Sequence, residues 1–148
     1  MATSDEMKRI FLRFAHEAWD KGNTDVVYET FAPEYIAHST DPAHDVHGAD
    51  GHAEFISSFR EAFPDVKVEV HHLVVEGDLI VAHMSWSGTH LGPYQGMPPT
   101  QRSISIQVVG INRFEGDKIV EAWGVVDMLG MLQQLGVIPA PSGAPAGG

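Results

Sequence analysis

Histidine is the side chain with the greatest potential for acid–base chemistry in this chain of 148 residues, which contains nine histidines and no cysteine. An imidazole can take up or release a proton near pH 7. Without a thiol, the chain has no disulfide, no cysteine nucleophile and no thiolate metal ligand. The residue types therefore favour proton transfer by histidine or by a carboxylate.

His83 has the sequence context that best suits a general base. It lies in the mainly apolar run of residues 79–86, which predicts that its imidazole is partly buried and points inward. Burial disfavours the charged form and lowers the pKa of the ring, as a base requires. The alternative interpretation is a core or interface histidine that forms a hydrogen bond with a neighbour.

His38 and Asp127 are two further candidates for catalysis. His38 follows Phe31 and Tyr35, where the chain is expected to cross the mouth of a pocket, so it could polarise or protonate a substrate. The alternative is a histidine of a surface loop. Asp127 precedes the last helical segment and is expected to cap it, although a carboxylate at the rim of the pocket is also possible.

The remaining histidines support weaker hypotheses. His38, His44 and His47 have a spacing that is compatible with zinc, but a polar loop produces such a spacing by chance, and we expect no metal and no cofactor. His71 and His72 are neighbours on a predicted strand and are expected to point to opposite faces. His90 precedes a loop rich in glycine and proline, which it could hold in place.

The helices that position these residues are predicted from apolar residues at helical spacing. The first covers residues 4–21 with Ser4 as its cap, and shorter ones cover residues 24–31 and 51–63. A terminal helical turn is expected over residues 127–135.

A change of the apolar period from 3.6 to 2 at residue 66 marks the beginning of the strands. Residues 35–50, before the third helix, are expected to form a loop. The predicted strands begin at residue 66 and then cover residues 79–90, 102–114 and 118–126.

Helices followed by an antiparallel meander predict an α+β fold with the helices on one face of the sheet. A long curved sheet wrapped over helices leaves a conical cavity, which is a common binding site for small molecules. In such a cone the apolar core is also the lining of the pocket. The residues expected to bind substrate are therefore Trp19, Phe31, Tyr35, Phe55, Phe59, Trp86 and Met97.

Four segments carry a resemblance to a known family. They read SGTH at residues 87–90, GMPPT at 96–100, NRFEGDKIVEAW at 112–123, and Asp127 followed by LQQLG at 132–136. In this order they resemble the motifs of the SnoaL-like polyketide cyclases, over roughly residues 10–136. The resemblance implies the cone-shaped fold of the nuclear-transport-factor-two-like superfamily, a pocket without a cofactor, and homodimers through the outer face of the sheet.

The resemblance also implies aldol-type ring closure of a polyketide ester, with an Asp as the base and a His that assists it. In this chain Gly124 and Gly110 stand at those two positions. Together with Ala122 they are expected on the pocket face. There they would enlarge the cavity for a bulky ligand, or they would mark a bend in the strands. Glu121 and Trp123 are expected on the outer face.

Composition excludes some partners. A formal net charge of −11 argues against binding to nucleic acid or to an anionic membrane surface. No apolar run is long enough to span a membrane, and the N-terminus lacks the pattern of a signal peptide. We therefore expect a cytoplasmic domain over residues 1–138 and a disordered Pro/Gly/Ala tail over residues 139–148.

The leading functional hypothesis is a cofactor-independent enzyme that acts on a hydrophobic carbonyl compound by proton abstraction. One alternative is a non-catalytic protein of the same fold that binds a small hydrophobic molecule. Another is an epoxide-hydrolase-like enzyme, which would require an Asp-Arg-Asp constellation.

The outer sheet face provides a first testable prediction. An amphipathic face that includes Ser105, Gln107 and Trp123 would remain partly exposed in a monomer, and Trp is enriched at interfaces. We expect light scattering at micromolar concentration to give about twice the 16.1 kDa of one chain. A mass equal to that of a single chain would contradict the prediction.

Overall fold

The chain begins with two helices joined by a wider helical turn. The computed structural model describes residues 2–39 and 42–139, so the predicted tail lies outside the described residues except for Pro139. Helix α1 (Ser4–Phe14) continues as a π-helical turn over Ala15–Asp20, and α2 covers Asp25–Thr30. The cap of α1 is Thr3 rather than the predicted Ser4, because the Thr3 hydroxyl accepts the backbone N–H of Glu6 at 3.2 Å.

The segment predicted as a loop contains two strands, β1 (Phe31–His38) and β2 (Val46–His47). Pro33 lies inside β1, where a missing N–H would normally weaken pairing. The strand tolerates it because the register between β1 and its neighbour is interrupted between Phe31 and Ile36. The prediction of a loop over residues 35–50 was therefore wrong at residues 35–38 and 46–47, which lie in strands, and at residues 48–50, which begin the next helix.

Helix α3 (Gly48–Ala62) begins three residues before its predicted start and packs its apolar stripe into the core. Ala49, Ala53, Ile56 and Phe59 are buried along this stripe. The α3 side chain of Arg60 donates hydrogen bonds to the backbone oxygens of Trp19, at 2.5 Å, and Asp20, at 3.1 Å. Arg60 thus fixes the end of the π-helical turn.

Four long strands complete the sheet: β3 (Lys67–Glu76), β4 (Leu79–Thr89), β5 (Ser103–Glu115) and β6 (Lys118–Val126). The strand order is β2-β1-β6-β5-β4-β3. The antiparallel meander from β3 to β6 agrees with the sequence prediction. The parallel pairing of β1 with β6 was not predicted.

The two faces of the sheet differ in burial. Ile80, Ala82, Met84 and Trp86 of β4 are buried against the helices, and we call this side the inner face. The α+β fold that the sequence predicted is confirmed, and helix α4 (Met128–Gln134) ends the described domain. Within residues 2–39 and 42–139, no helix has the length and apolarity needed to cross a membrane.

Gly92 provides a test of the packing between the loop after β4 and helix α3. Its N–H donates to the Ala62 oxygen at 3.1 Å. A Cβ here would overlap the Glu61 carbonyl oxygen and lie 3.1 Å from the Glu61 carbonyl carbon.

We expect Gly92→Ala to destabilise the fold by about 1–3 kcal/mol, because backbone atoms must move. Its melting temperature should fall by at least about 3 °C. Gly124→Ala is the control, since the nearest atom to its new Cβ is the Val109 oxygen at 3.9 Å. Equal melting temperatures for the two variants would contradict the packing described here.

Candidate functional site

A cavity of about 480 Å³ lies between the inner face of the sheet and the helices. Its wall is mostly aromatic and aliphatic, with a small number of polar side chains. Of the nine residues predicted to bind substrate, eight lie on this wall: Trp19, Phe31, Tyr35, Phe55, Phe59, Trp86, Gly110 and Gly124. Such a lining is typical of a site for a small apolar molecule.

Met97 is the predicted binding residue that does not line the cavity. It lies in the loop between β4 and β5, where its backbone N–H donates to the Tyr94 oxygen at 2.8 Å and its oxygen accepts the Tyr94 N–H at 3.0 Å. Its side chain packs against the core. The sulfur-containing side chain therefore supports the loop that carries Tyr94, which does line the cavity.

Small residues pair in register across three strands of the inner face, and those of β5 and β6 line the cavity. Gly110 of β5 pairs in register with Gly124 of β6 and with Ala82 of β4. Ala122 lies two residues from Gly124 on the same face and also lines the cavity. A Cβ at Gly110 would approach no atom closer than 3.7 Å. The expectation that these glycines stand on the pocket face is confirmed.

His83 does not point into the cavity, so the prediction of an inward imidazole was wrong. The even-numbered residues of β4 from Ile80 to Trp86 are buried, and His83 shares the outward phase with Ser85. Its Nε2 lies 2.5 Å from Gln107 Oε1, and its Nδ1 lies 3.0 Å from His72 Nδ1. It is therefore a partner within a polar cluster on the outer face.

His71 and His72 also lie together on the outer face, contrary to the prediction of opposite faces. The pairing of β3 with β4 shifts its register between Val70 and His72, which marks a β-bulge. A bulge inserts one extra residue and breaks the alternation of side chains. As a result His71 Nε2 lies 2.6 Å from Ser85 Oγ, beside His83.

Asp127 and His90 have structural roles. The Asp127 carboxylate accepts the backbone N–H of Gly130 at 2.9 Å, which is the expected cap of α4, and Asp127 does not line the cavity. His90 is buried, and its Nδ1 accepts the N–H of Thr100 at 3.1 Å. This hydrogen bond joins the two ends of the loop between β4 and β5, as the sequence suggested.

His52 is a polar residue of the cavity wall that the sequence analysis missed. It lies on α3 and its ring is surrounded by aromatic rings, with centroid distances of 4.5 Å to Phe31, 5.3 Å to Tyr35 and 5.6 Å to Phe14. Neither ring nitrogen has a hydrogen-bond partner among the described residues, and neither is accessible to solvent. Burial lowers the pKa of His52 from 6.5 to about 4.

A signal for His52 was present in the sequence. His52 precedes Ile56 by four residues and Phe59 by seven, so it lies on the apolar stripe of the third predicted helix. A histidine on an apolar stripe is expected to be buried. The predicted start of α3 at residue 51 placed His52 in its first turn, where this periodicity is hard to see.

Other polar groups of the wall also lie in apolar surroundings. Trp86 Nε1 is buried without a hydrogen-bond partner within the described part of the chain. Burial raises the pKa of Tyr35 above its ordinary value. Asn112 is buried on β5, two residues from Gly110 on the same face. The wall thus holds several hydrogen-bonding groups and, over the described ranges, no side chain of Asp, Glu, Lys or Arg.

At the end of β1, His38 pairs in register with Trp123 of β6, so its side chain lies on the same side of the sheet as Trp123, and both residues line the cavity. His38 Nε2 lies 2.7 Å from Glu121 Oε2, and the His38 ring stacks on Trp123 with centroids 5.5 Å apart. Glu121 Oε1 accepts hydrogen bonds from Arg113 Nε at 3.2 Å and Nη2 at 3.1 Å. The hydrogen bond from His38, with a smaller effect of Arg113, lowers the pKa of Glu121.

The histidines of the predicted loop separate in the structure. His44 lies on the cavity wall, whereas His47 is exposed on β2. Among the residues that the structure describes, no group of three or more His, Asp or Glu side chains could hold a metal ion.

Comparisons with known proteins identify the family. The sequence model of the SnoaL-like polyketide cyclases matches residues 9–135. Nogalonic acid methyl ester cyclase of Streptomyces nogalater is 31% identical over 121 residues, which cover 80% of this chain and 90% of that protein.

Solved structures share the fold of this chain. AclR from Streptomyces galilaeus superposes with a TM-score of 0.82 at 28% identity, over 95% of this chain and 87% of that chain. TsrD from Streptomyces laurentii gives a TM-score of 0.83 at 28% identity, over 93% and 100%. The chain belongs to the SnoaL-like polyketide cyclase family, and the cone-shaped fold implied by the resemblance is confirmed.

The burial of His52 predicts a pH dependence of stability. The unfolded chain binds a proton at this side chain below its ordinary pKa of 6.5, whereas the folded chain binds one only near pH 4. Folding stability is therefore lost as the pH falls through this window, by about 3 kcal/mol.

The His52→Phe variant should lose less stability over this window than the parent, by about the same 3 kcal/mol. Urea unfolding at pH 7 and at pH 4 measures the two losses. Parallel curves for the variant and the parent would contradict the burial of a neutral His52.

Proposed function

We propose that this chain is a cofactor-independent enzyme that binds a hydrophobic carbonyl compound and moves a proton on the carbon beside the carbonyl group. The observation that carries the proposal is His52, whose two ring nitrogens are buried on the cavity wall with no hydrogen-bond partner in the described ranges. An unpaired buried polar group costs about 1–3 kcal/mol. A turn of the imidazole toward the cavity would let a ligand oxygen supply the missing partner.

The lowered pKa of His52 defines its proposed role. Because the ring is neutral at pH 7, it presents one N–H donor and one acceptor. The N–H would donate to the carbonyl oxygen and stabilise the negative charge that develops there when the adjacent proton leaves. Trp86 Nε1 is a second unpartnered donor on the same wall.

The proton acceptor that we propose is a histidine rather than a carboxylate. The cavity wall carries no Asp or Glu side chain over residues 2–39 and 42–139. The resemblance implies an Asp where this chain has Gly124, so the proposed aldol-type chemistry requires another base. The name of the relative from Streptomyces nogalater, a cyclase of an acid methyl ester, supports a carbonyl compound as the substrate class.

The second candidate is a non-catalytic binding protein of the same fold. The observation in its favour is the set of small residues Gly110, Gly124 and Ala122 on the cavity wall, which leaves volume in the cavity but adds no reactive group. A binder would hold the same apolar ligands without moving a proton. Turnover therefore distinguishes the two candidates.

We also propose that the protein is a cytoplasmic homodimer that pairs through the outer face. Val109, Val125 and Trp123 are 40%, 61% and 39% exposed on this face. Burial of such side chains against a second copy would remove apolar surface from water. The polar cluster of His71, His72, His83, Ser85 and Gln107 lies on the same face.

Hydrogen–deuterium exchange of a simple ketone tests the enzyme proposal without knowledge of the natural substrate. In D₂O at pH 7, the protein should accelerate exchange of the α-protons of 2-tetralone, an apolar bicyclic ketone, above the rate in buffer. We expect His52→Phe to reduce the protein-dependent rate by about 10²–10³-fold, because one donor to the developing oxyanion is lost. Proton NMR measures the rate.

The stability of the same variant provides the internal check. His52→Phe should melt at or above the temperature of the parent, because it removes an unpaired buried polar side chain. His71→Gln on the outer face is the matched control and should keep the rate of the parent. Binding of 2-tetralone without accelerated exchange would favour the non-catalytic binding protein.

A further inference from the structure

We infer that His38, oriented by Glu121, is the base that removes the α-proton, and that Nδ1 is the atom that accepts it. This inference rests on the proposed function and assigns the proton acceptor that the function requires. His38 lines the cavity, and its ring has a carboxylate partner in Glu121.

The hydrogen bond determines the tautomer of His38. A carboxylate can only accept, so the contact of 2.7 Å between Nε2 and Glu121 Oε2 requires that Nε2 carries the hydrogen. In the neutral ring Nδ1 is then the unprotonated nitrogen. It forms no hydrogen bond within residues 2–39 and 42–139. Nδ1 is therefore the ring nitrogen that is free to accept a proton, and it belongs to His38, which lines the cavity.

Glu121 is itself held in place. Arg113 donates two hydrogen bonds to Glu121 Oε1, so the two carboxylate oxygens have separate partners, Arg113 and His38. These side chains are about one quarter to one third exposed, at 33% for His38, 25% for Glu121 and 32% for Arg113. The stacking of His38 on Trp123 fixes the plane of the ring.

The hydrogen bond between His38 and Glu121 favours the role of His38 as a base. When Nδ1 accepts a proton, the imidazolium donates from Nε2 to a carboxylate that is already ionised, and this arrangement stabilises the charge. The lowered pKa of Glu121 shows that it stays ionised at neutral pH. Glu121 and Arg113 are therefore positioning residues, and His38 is the catalytic one.

The proton transfer balances without a co-reactant. The C–H bond beside the carbonyl breaks, and its electron pair moves into the carbonyl group to give an enolate oxygen. The proton goes to His38 Nδ1, while the enolate oxygen accepts the N–H of His52. Return of the proton from Nδ1 to carbon completes an exchange. In the aldol reaction the enolate carbon instead attacks a second carbonyl of the same molecule, and the alkoxide that forms takes the proton from Nδ1.

Two variants with the same change of charge test the role of Glu121. Glu121→Gln removes the carboxylate beside His38, whereas Glu115→Gln removes another carboxylate that contacts Arg113, at 3.5 Å, but not His38. A glutamine at position 121 can donate to the ring as well as accept from it, so it no longer selects one tautomer. An amide in the corresponding place of a Ser-His-Asp triad lowers kcat by about 10⁴-fold.

The tautomer is read directly by nitrogen NMR of the histidine rings at pH 7, which needs no substrate. We expect an unprotonated Nδ1 at His38 in the parent and in Glu115→Gln, and a mixture of tautomers in Glu121→Gln. Thermal melts establish that both variants are folded. A protonated Nδ1 in the parent, or the same tautomer in all three proteins, would overturn the inference.

Alkylation by 2-bromo-1-(naphthalen-2-yl)ethanone, an apolar bromomethyl ketone, tests the reach of Nδ1 into the cavity. The imidazole nitrogen displaces bromide from the CH₂ group, and mass spectrometry of the peptides locates the new bond. We expect modification at His38 that is about tenfold slower in Glu121→Gln and unchanged in Glu115→Gln. Modification of His44 or His52 in place of His38 would contradict the assignment.

Exchange of 2-tetralone then separates the two proposals. We expect His38→Gln to reduce the exchange rate by about 10²–10⁴-fold, which is typical of the loss of a general base. Exchange that depends on His52 but survives in His38→Gln and Glu121→Gln would leave the proposed function intact and refute the base. Absence of exchange in the parent would refute both proposals.

Discussion

The parallel pairing of β1 with β6 is the constraint on which the rest of the site depends. It places Ala37 beside Ala122 and His38 beside Trp123, although more than eighty residues separate the partners in sequence. Without this pairing His38 could not reach Glu121. The short β2 and helix α3 follow β1 directly, so the same pairing also decides where His52 enters the core.

Much of the sheet could be predicted from the sequence, because local periodicity and turn residues determine where strands begin and end. The predicted bounds of β6 agree with the structure, those of β4 differ by one residue at the end of the strand, and those of β5 differ by one residue at each end. Strand β1 could not be predicted in the same way. It contains Pro33, it has no regular alternation, and its stability comes from a partner strand that is distant in sequence.

The apolar residues of the cavity wall could be predicted from the sequence, whereas the positions of the polar groups were harder to predict. Bulky residues near the core line the cavity because the cavity lies within the core. The outward position of His83 could have been read from Ser85, which has the same phase on β4. The bulge at His71 could not have been predicted, because one extra residue in a strand does not change the composition of the strand in a recognisable way.

Gly110 and Gly124 leave space in the cavity wall without adding a reactive group to it. Gly110 and Gly124 contribute only backbone to the wall, and the space in front of them is open to at least 3.7 Å. A Cβ can therefore be added at either position without displacing a neighbour, and the cavity lies in front of it. In evolutionary terms, the protein can gain or lose a reactive group through folded single-step intermediates, so relatives with one common framework can diverge in the reactions they catalyse.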